Sequence, residues 1–219
     1  MAYDLDEQEK IDSLKNFWQR FGNLITWVLI IALGSYAGYN FWKQNQRTKA
    51  AEASALYDEL SKQVAARDNV KVQRIAADVQ SKYESSIYAQ MSGLAAAKAA
   101  FEANDLKTAK ARLQWVLEHG NDEFKAVAKL RLSGVLLDEK AYDQALKALD
   151  GEVLPQFAGA VADRKGDILV AQNKIADARK AYETALKAMD EKNPGRQLVQ
   201  IKLEAIGGSV PAAAKPAAA

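Results

Sequence analysis

Residues 173–186 read NKIADARKAYETAL, residues 104–117 read NDLKTAKARLQWVL, and residues 139–149 read EKAYDQALKAL. Laid over one another, they give one plan three times: a polar turn, then a helix. Each helix carries an alanine near its start, Ala109, Ala145 and Ala178, at spacings of 36 and 33 residues. Four residues on stand Leu113, Leu149 and Tyr182, all large. Twelve residues before each alanine stand Ala97, Ser133 and Gly166, all small. Two antiparallel helices joined by a short turn need small side chains where their backbones approach and large ones to fill the seam beside them. One such hairpin cannot bury its apolar face alone, so hairpins stack.

The pattern resembles the tetratricopeptide repeat, a helix–turn–helix unit of about 34 residues. The third unit carries the likeness best, in Gly166-Asp167-Ile168-Leu169, then Ala178, Tyr182 and Ala185, with Pro194 after the second helix. The second unit departs from it: Glu152 stands where a small residue is expected, and Gly151 should cut the helix short. The resemblance implies that the first helix of each unit lines a concave groove. Mapped onto the aligned units, the lining positions are Leu94, Lys98 and Phe101, then Leu130 and Leu137, then Asp163, Asp167 and Val170. Their mixed apolar and charged character suits extended or unfolded polypeptide, or a partner's helix.

Upstream, Ala53, Leu56, Tyr57, Leu60 and Val64 form one helical stripe, and Arg67-Asp68-Asn69 reads as a turn. Ile75, Val79 and Tyr83 continue helical spacing to a break near Glu84-Ser85-Ser86. Residues 50–84 are therefore a further, degenerate unit of open register. No alternation of period two marks a strand anywhere.

Residues 21–42, FGNLITWVLIIALGSYAGYNFW, hold no charge in 22 positions. As a helix they extend about 33 Å, enough to cross a hydrocarbon core of about 30 Å. Trp18 and Trp27 lie towards one end, Tyr39, Phe41 and Trp42 at the other, as rings at the two headgroup zones would. Arg20 and Lys43 close the span. Ser35-Tyr36-Ala37 offers small residues suited to signal-peptide cleavage. However, the 20 residues ahead of the span carry five acids against three bases, unlike the short positive start of a signal peptide. An uncleaved anchor is the preferred reading. Flanking charge leaves its orientation open. Gly34 and Gly38 make a small-xxx-small pair through which another helix can approach. Ile11, Leu14, Trp18 and Phe21 follow helical spacing, compatible with an amphipathic extension at the interface or with a solvated tail.

Composition narrows the chemistry. Thirty basic and 28 acidic residues are interspersed over 219 positions, for a net charge of +2, so no basic face announces nucleic acid. There is no cysteine, which removes disulfides and thiolate chemistry. One histidine rules out H-E-x-x-H, and no dinucleotide, P-loop or G-x-S-x-G motif occurs. His119 reads as a basic helix end, with Gly120 in a left-handed cap position. Asp122-Glu123 and Asp138-Glu139 read as solvated helix starts. The chain is expected to bind rather than catalyse, with no cofactor and no metal.

The parts thus run as a short acidic tail (1–20), a transmembrane helix (21–42), a helical-repeat domain (43–207) and a disordered Ala/Pro tail (208–219). The fold class is all-α: one N-terminal transmembrane helix followed by a tetratricopeptide-like solenoid. This order of parts, opening on MAYDLDEQEKIDSLKNFWQRFGN, resembles the YfgM family of ancillary subunits of the bacterial SecYEG translocon. The resemblance implies an inner-membrane protein with a cytoplasmic N-terminus and a periplasmic repeat domain. It implies the translocon and the membrane-anchored prolyl isomerase PpiD as partners, and chaperone-like handling of newly exported polypeptide. The alternative is a bitopic scaffold subunit of another inner-membrane complex, with its repeats facing the cytoplasm.

Overall fold

The computed structural model describes residues 2–209, with side chains from residue 9 onward. Most of the expected Ala/Pro tail, residues 210–219, lies outside the described residues. Nine α-helices and one short 3-10 turn make up the described chain, with no strand among those residues. Two compact units divide after Glu52.

The first unit is built from most of helix α1 (Ala2–Ala65). Between residues 21 and 42 its large apolar side chains other than the half-buried Ile25 are exposed, Trp27, Ile30, Leu33 and Phe41 among them, and only Gly22 is buried. A helix this long and this apolar, covered by no other part of its own unit, is long enough to cross a membrane. The polar run after Trp42, which reads as a lead-in to the repeats, is itself helical and exposed through Glu52. Upstream, residues 2–20 are also helical, with Ile11, Leu14, Phe17 and Trp18 exposed.

The second unit is four hairpins and a closing helix. The last turns of α1, residues 53–65, pair with α2 (Asn69–Lys82). The other hairpins are α3 (Ile87–Glu102) with α4 (Leu106–His119), α5 (Asp122–Asp138) with α6 (Tyr142–Ala148), and α7 (Ala158–Ala171) with α8 (Ile175–Ala188). Helix α9 (Arg196–Ala205) closes the stack on α8. Where residues 50–84 are expected as a degenerate unit, a hairpin runs over residues 53–82, built around Leu60, Val72 and Ala76, all fully buried.

All four hairpin turns share one backbone device. Arg67, Asn104, Lys140 and Asn173 each take a left-handed φ, between 57° and 60°. Each donates its N–H to the carbonyl three residues back, at 2.8–3.0 Å. The next residue, Asp68, Asp105, Ala141 or Lys174, donates to the carbonyl five back, also at 2.8–3.0 Å. This is the Schellman arrangement, and it satisfies carbonyls the ending helix would otherwise leave open. The same residue then starts the return helix. Asp68 and Asp105 also cap it, accepting from the N–H groups of Lys71 and Thr108.

The seam is packed as the alignment requires. Ala109, Ala145 and Ala178 are fully buried, and Ala97, Ser133 and Gly166 face them as small buried residues. Leu113, Leu149 and Tyr182 fill the space beside them. A methyl group at Gly166 would sit 2.3 Å from the Tyr182 ring, and one at Gly93 would sit 2.6 Å from Val116. The hairpin of α5 and α6, the second of the three aligned units, is cut short as expected: α6 has 7 residues against 14 in α4 and α8.

Two expectations are corrected. Gly120 is not left-handed; its φ is −74° and its backbone extended. One extended residue joins α4 to Asn121, which caps α5, and a Cβ at Gly120 would lie 2.6 Å from the Val116 carbonyl. Glycine is needed there for room, not for φ. Asp122 and Glu123 do start a helix, but Asp138 and Glu139 end one. Acids at a helix C-terminus meet an unfavourable dipole, and the Lys110 ammonium of α4 donates to both Glu139 carboxylate oxygens at 2.7–2.8 Å.

Candidate protein-binding surface

Helices α3, α5 and α7 are the first helices of successive hairpins and lie side by side. An open cleft of about 460 Å³ crosses them. Lys98 and Phe101 come from α3, Leu130, Arg131, Gly134 and Asp138 from α5, and Arg164 from α7. Phe101 is 40% exposed, a large ring left in solvent beside Leu130.

The cations of the cleft are weakly answered. Lys98 faces Glu102 at 3.6 Å, one turn on, with both side chains well exposed, so solvent screens the pair. Arg131 donates through Nη1 to the Leu94 carbonyl at 3.0 Å, a neutral partner that orients the guanidinium without cancelling its charge. Arg164 reaches Asp167 only at 3.9 Å. Gly134 leaves the space above it to Arg164, whose guanidinium lies 3.6–3.8 Å from where a Cβ would be.

The eight lining positions expected from the sequence fall into three groups. Lys98, Phe101 and Leu130 do line the cleft. Leu94 is buried in the core between α3, α4 and α5, while Leu137 and Val170 pack half-buried against neighbouring cores. Asp163 and Asp167 are engaged from within the fold. Lys202 of α9 places Nζ 2.8 Å from Oδ1 of each, and the Tyr182 hydroxyl donates to Asp167 at 2.9 Å. Burial pushes the Asp163 carboxyl above its ordinary range, outweighing the hydrogen bond from Lys202. Burial, and then the bond to Asp167, raise the Tyr182 hydroxyl as well. This cluster ties α7, α8 and α9 together and is structural.

Arg131, Gly134, Asp138 and Arg164 were not singled out by the sequence. One signal was present for three of them: Arg131, Gly134 and Asp138 extend the i, i+1, i+4, i+8 stripe that begins at Leu130. Arg112 of α4 is a second unforeseen feature. Half-buried, it donates to the Gln73 side chain at 2.8 Å, the Gln73 carbonyl at 2.9 Å and Gln80 at 2.6 Å, joining α4 to α2. Burial lowers its pKa from the usual arginine value.

His119 stacks on Trp115 at 4.5 Å, meets the Trp115 carbonyl through Nδ1 at 2.9 Å and faces Glu84 at 3.2 Å. It closes the end of α4 against the loop that joins α2 to α3. Among the described residues no three His, Asp or Glu side chains are placed to hold a metal ion. In the first unit, Gly34 and Gly38 are exposed, and nothing lies within 4 Å of a Cβ built on either.

Comparison with known proteins follows this architecture. A family model described as a tetratricopeptide repeat-like domain matches residues 15–208. A Neisseria gonorrhoeae protein named ancillary SecYEG translocon subunit is 35% identical over 212 residues, covering 94% of this chain and 100% of the relative. Proteins of the same name from Haemophilus influenzae and Escherichia coli are 31% and 30% identical, over 93% and 84% of this chain and 98% and 88% of theirs. No solved structure matches the chain.

Proposed function

The chain belongs to the family of ancillary SecYEG translocon subunits, and from that membership we propose that it is a membrane-anchored, non-catalytic protein-binding subunit working at the SecYEG translocon. The N-terminal helix holds it in the inner membrane, with the N-terminus cytoplasmic and the repeats in the periplasm. There the repeats receive newly exported polypeptide, together with the prolyl isomerase PpiD. The observation that carries this reading is the cleft across α3, α5 and α7, where Phe101 and Leu130 stand among the incompletely answered cations Lys98, Arg131 and Arg164. A surface of that kind recognises chain by contact and needs no nucleophile.

Two measurements test it. A C-terminal tag should be cut by protease added to cells whose outer membrane is opened and whose inner membrane is intact. Cutting only after inner-membrane lysis overturns the periplasmic placement. Affinity purification of the full chain from mild detergent should bring down the translocon and PpiD, and their absence sinks the assembly claim.

A second reading places the partner contact in the membrane helix and leaves the repeats as scaffold. The open faces of Gly34 and Gly38 favour it, since a partner backbone can approach there unhindered. Replacing residues 21–42 with an unrelated span separates the two: partners retained assign the contact to the repeats, partners lost to the span.

A further inference from the structure

Resting on the reading of the cleft as a binding surface, we infer that its occupant is an extended, acidic stretch of polypeptide with side-chain carboxylates about three residues apart and apolar residues between them. The cleft presents one cation from each of three successive helices: Lys98 from α3, Arg131 from α5 and Arg164 from α7. Only one carboxylate, Asp138, joins them in the lining. Each cation has charge to spare. Lys98 has a screened partner at 3.6 Å, Arg131 a neutral one, and Arg164 a distant share of an Asp167 already held by Lys202 at 2.8 Å.

The spacing follows from geometry. Packed helices lie roughly 8–10 Å apart, and a chain extended as polyproline II advances roughly 3.1 Å per residue with about three residues per turn. Laid across the three helices, such a chain turns every third side chain towards the next cation. Distributed charge of this kind suits several side-chain carboxylates better than one terminal carboxylate. Phe101 and Leu130 line the same cleft and offer apolar contact to the residues between the carboxylates. The Arg131 guanidinium, fixed by the Leu94 carbonyl, presents its remaining N–H groups ready oriented.

The test uses the full chain in detergent micelles and fluorescence anisotropy. The probe is a labelled nine-residue peptide, Asp-Ala-Phe three times over, acetylated and amidated so that its only carboxylates are side chains. It should bind about tenfold tighter than the Lys-Ala-Phe counterpart and weaken as salt rises. Arg131→Glu and Lys98→Glu should each lower its affinity about tenfold and raise that of the lysine peptide. Lys180→Glu, on α8 outside the cleft, should change neither. A peptide with its three acids adjacent should bind several-fold more weakly than the spaced one. Circular dichroism of each variant excludes unfolding as the cause.

Equal binding of the acidic, basic and neutral Gln-Ala-Phe peptides overturns the inference. If Phe101→Ala then removes them all, the binding cleft stands while its charge preference falls. If no peptide binds, both fall. If affinity follows a free C-terminus regardless of side-chain acids, the occupant is a terminal carboxylate and the inference is overturned. Equal affinity of spaced and adjacent acids overturns the spacing.

Discussion

The hairpin of α5 and α6 and the hairpin of α7 and α8 start from the same turn and the same small-residue seam, yet they are finished differently. In the latter, Tyr182 runs over Gly166 and bonds Asp167, and α8 continues for 14 residues. In the former, Leu149 stands at the matching place, α6 stops after 7 residues, and Gly151 turns away at φ 93°. The missing turns are replaced by an irregular strap, residues 149–157. The Asp150 carbonyl accepts from Lys129 at 3.1 Å, and Val153 and Leu154 cover α5 and α7. An open space of about 270 Å³ remains beside it. A repeat therefore tolerates a shortened return helix as long as the turn and the small–large seam survive.

That contrast can be broken where it is strongest. Tyr182→Ala empties a fully packed seam and strips Asp167 of a donor, and should cost about 3–5 kcal/mol. Leu149→Ala borders an existing space and should fall at the lower end of the leucine range, about 2–3 kcal/mol. Chemical unfolding of the full chain in detergent, followed by helical circular dichroism, gives both; equal losses would erase the distinction. Gly166→Ala forces a methyl into the Tyr182 ring and should cost about 1–3 kcal/mol. In the Tyr182→Leu background most of that penalty should disappear, and a double-mutant cycle without coupling would show that the two do not meet. Gly151→Ala places a side chain at a left-handed φ and should cost about 1–2 kcal/mol. Loosening confined to α6 and the strap in hydrogen exchange is the expected sign.

Two smaller effects sharpen the comparison. Burial, and after it the neighbouring Asp167 carboxylate, raise the Asp163 carboxyl above its ordinary value against the hydrogen bond from Lys202. A carboxyl raised in the folded state supports folding while protonated, and that support is lost as pH climbs through the raised value. Asp163→Asn should therefore equal or exceed the natural protein in stability at neutral pH. The margin should shrink to nothing as pH falls below the unfolded carboxyl's value. Melting curves across that range decide it; a margin that grows in acid contradicts the assignment. Finally, Ala141 and Lys174 open α6 and α8 without a side-chain cap, where Asp68 and Asp105 cap α2 and α4. Lys174→Asp should supply the missing acceptor and add about 0.5–1 kcal/mol.

What the sequence made legible was local. The span was a run of uncharged residues, and the seam was a small–large rule repeated at fixed distance, both readable without knowing what lies opposite. The groove was only half legible, because a side chain's neighbours come from other hairpins. Asp163 and Asp167 sit on the expected helix at expected positions, but Lys202, 39 and 35 residues further on, had already claimed them. Arg131 and Arg164 were hidden for the complementary reason: their partners are a backbone carbonyl and the space over a glycine, neither of which leaves a mark in side-chain pattern. Gly120 misled because glycine answers two needs, positive φ and close approach, and its position past a helix end suggested the first. In the hairpin turns the left-handed residues were Arg67, Asn104, Lys140 and Asn173, where no glycine pointed to them.

The shared turn has a kinetic consequence. Its hydrogen bonds close within six residues, and helices in substantial contact are never more than two apart along the chain. Loop closure is therefore short at every step, and folding can advance by accretion. A chain emerging from its N-terminal side can complete each hairpin on the one before it, without waiting for distant sequence. The Asp163 and Asp167 lock must wait for Lys202 in the closing helix, and the Arg179 guanidinium waits with it for the Ile206 carbonyl.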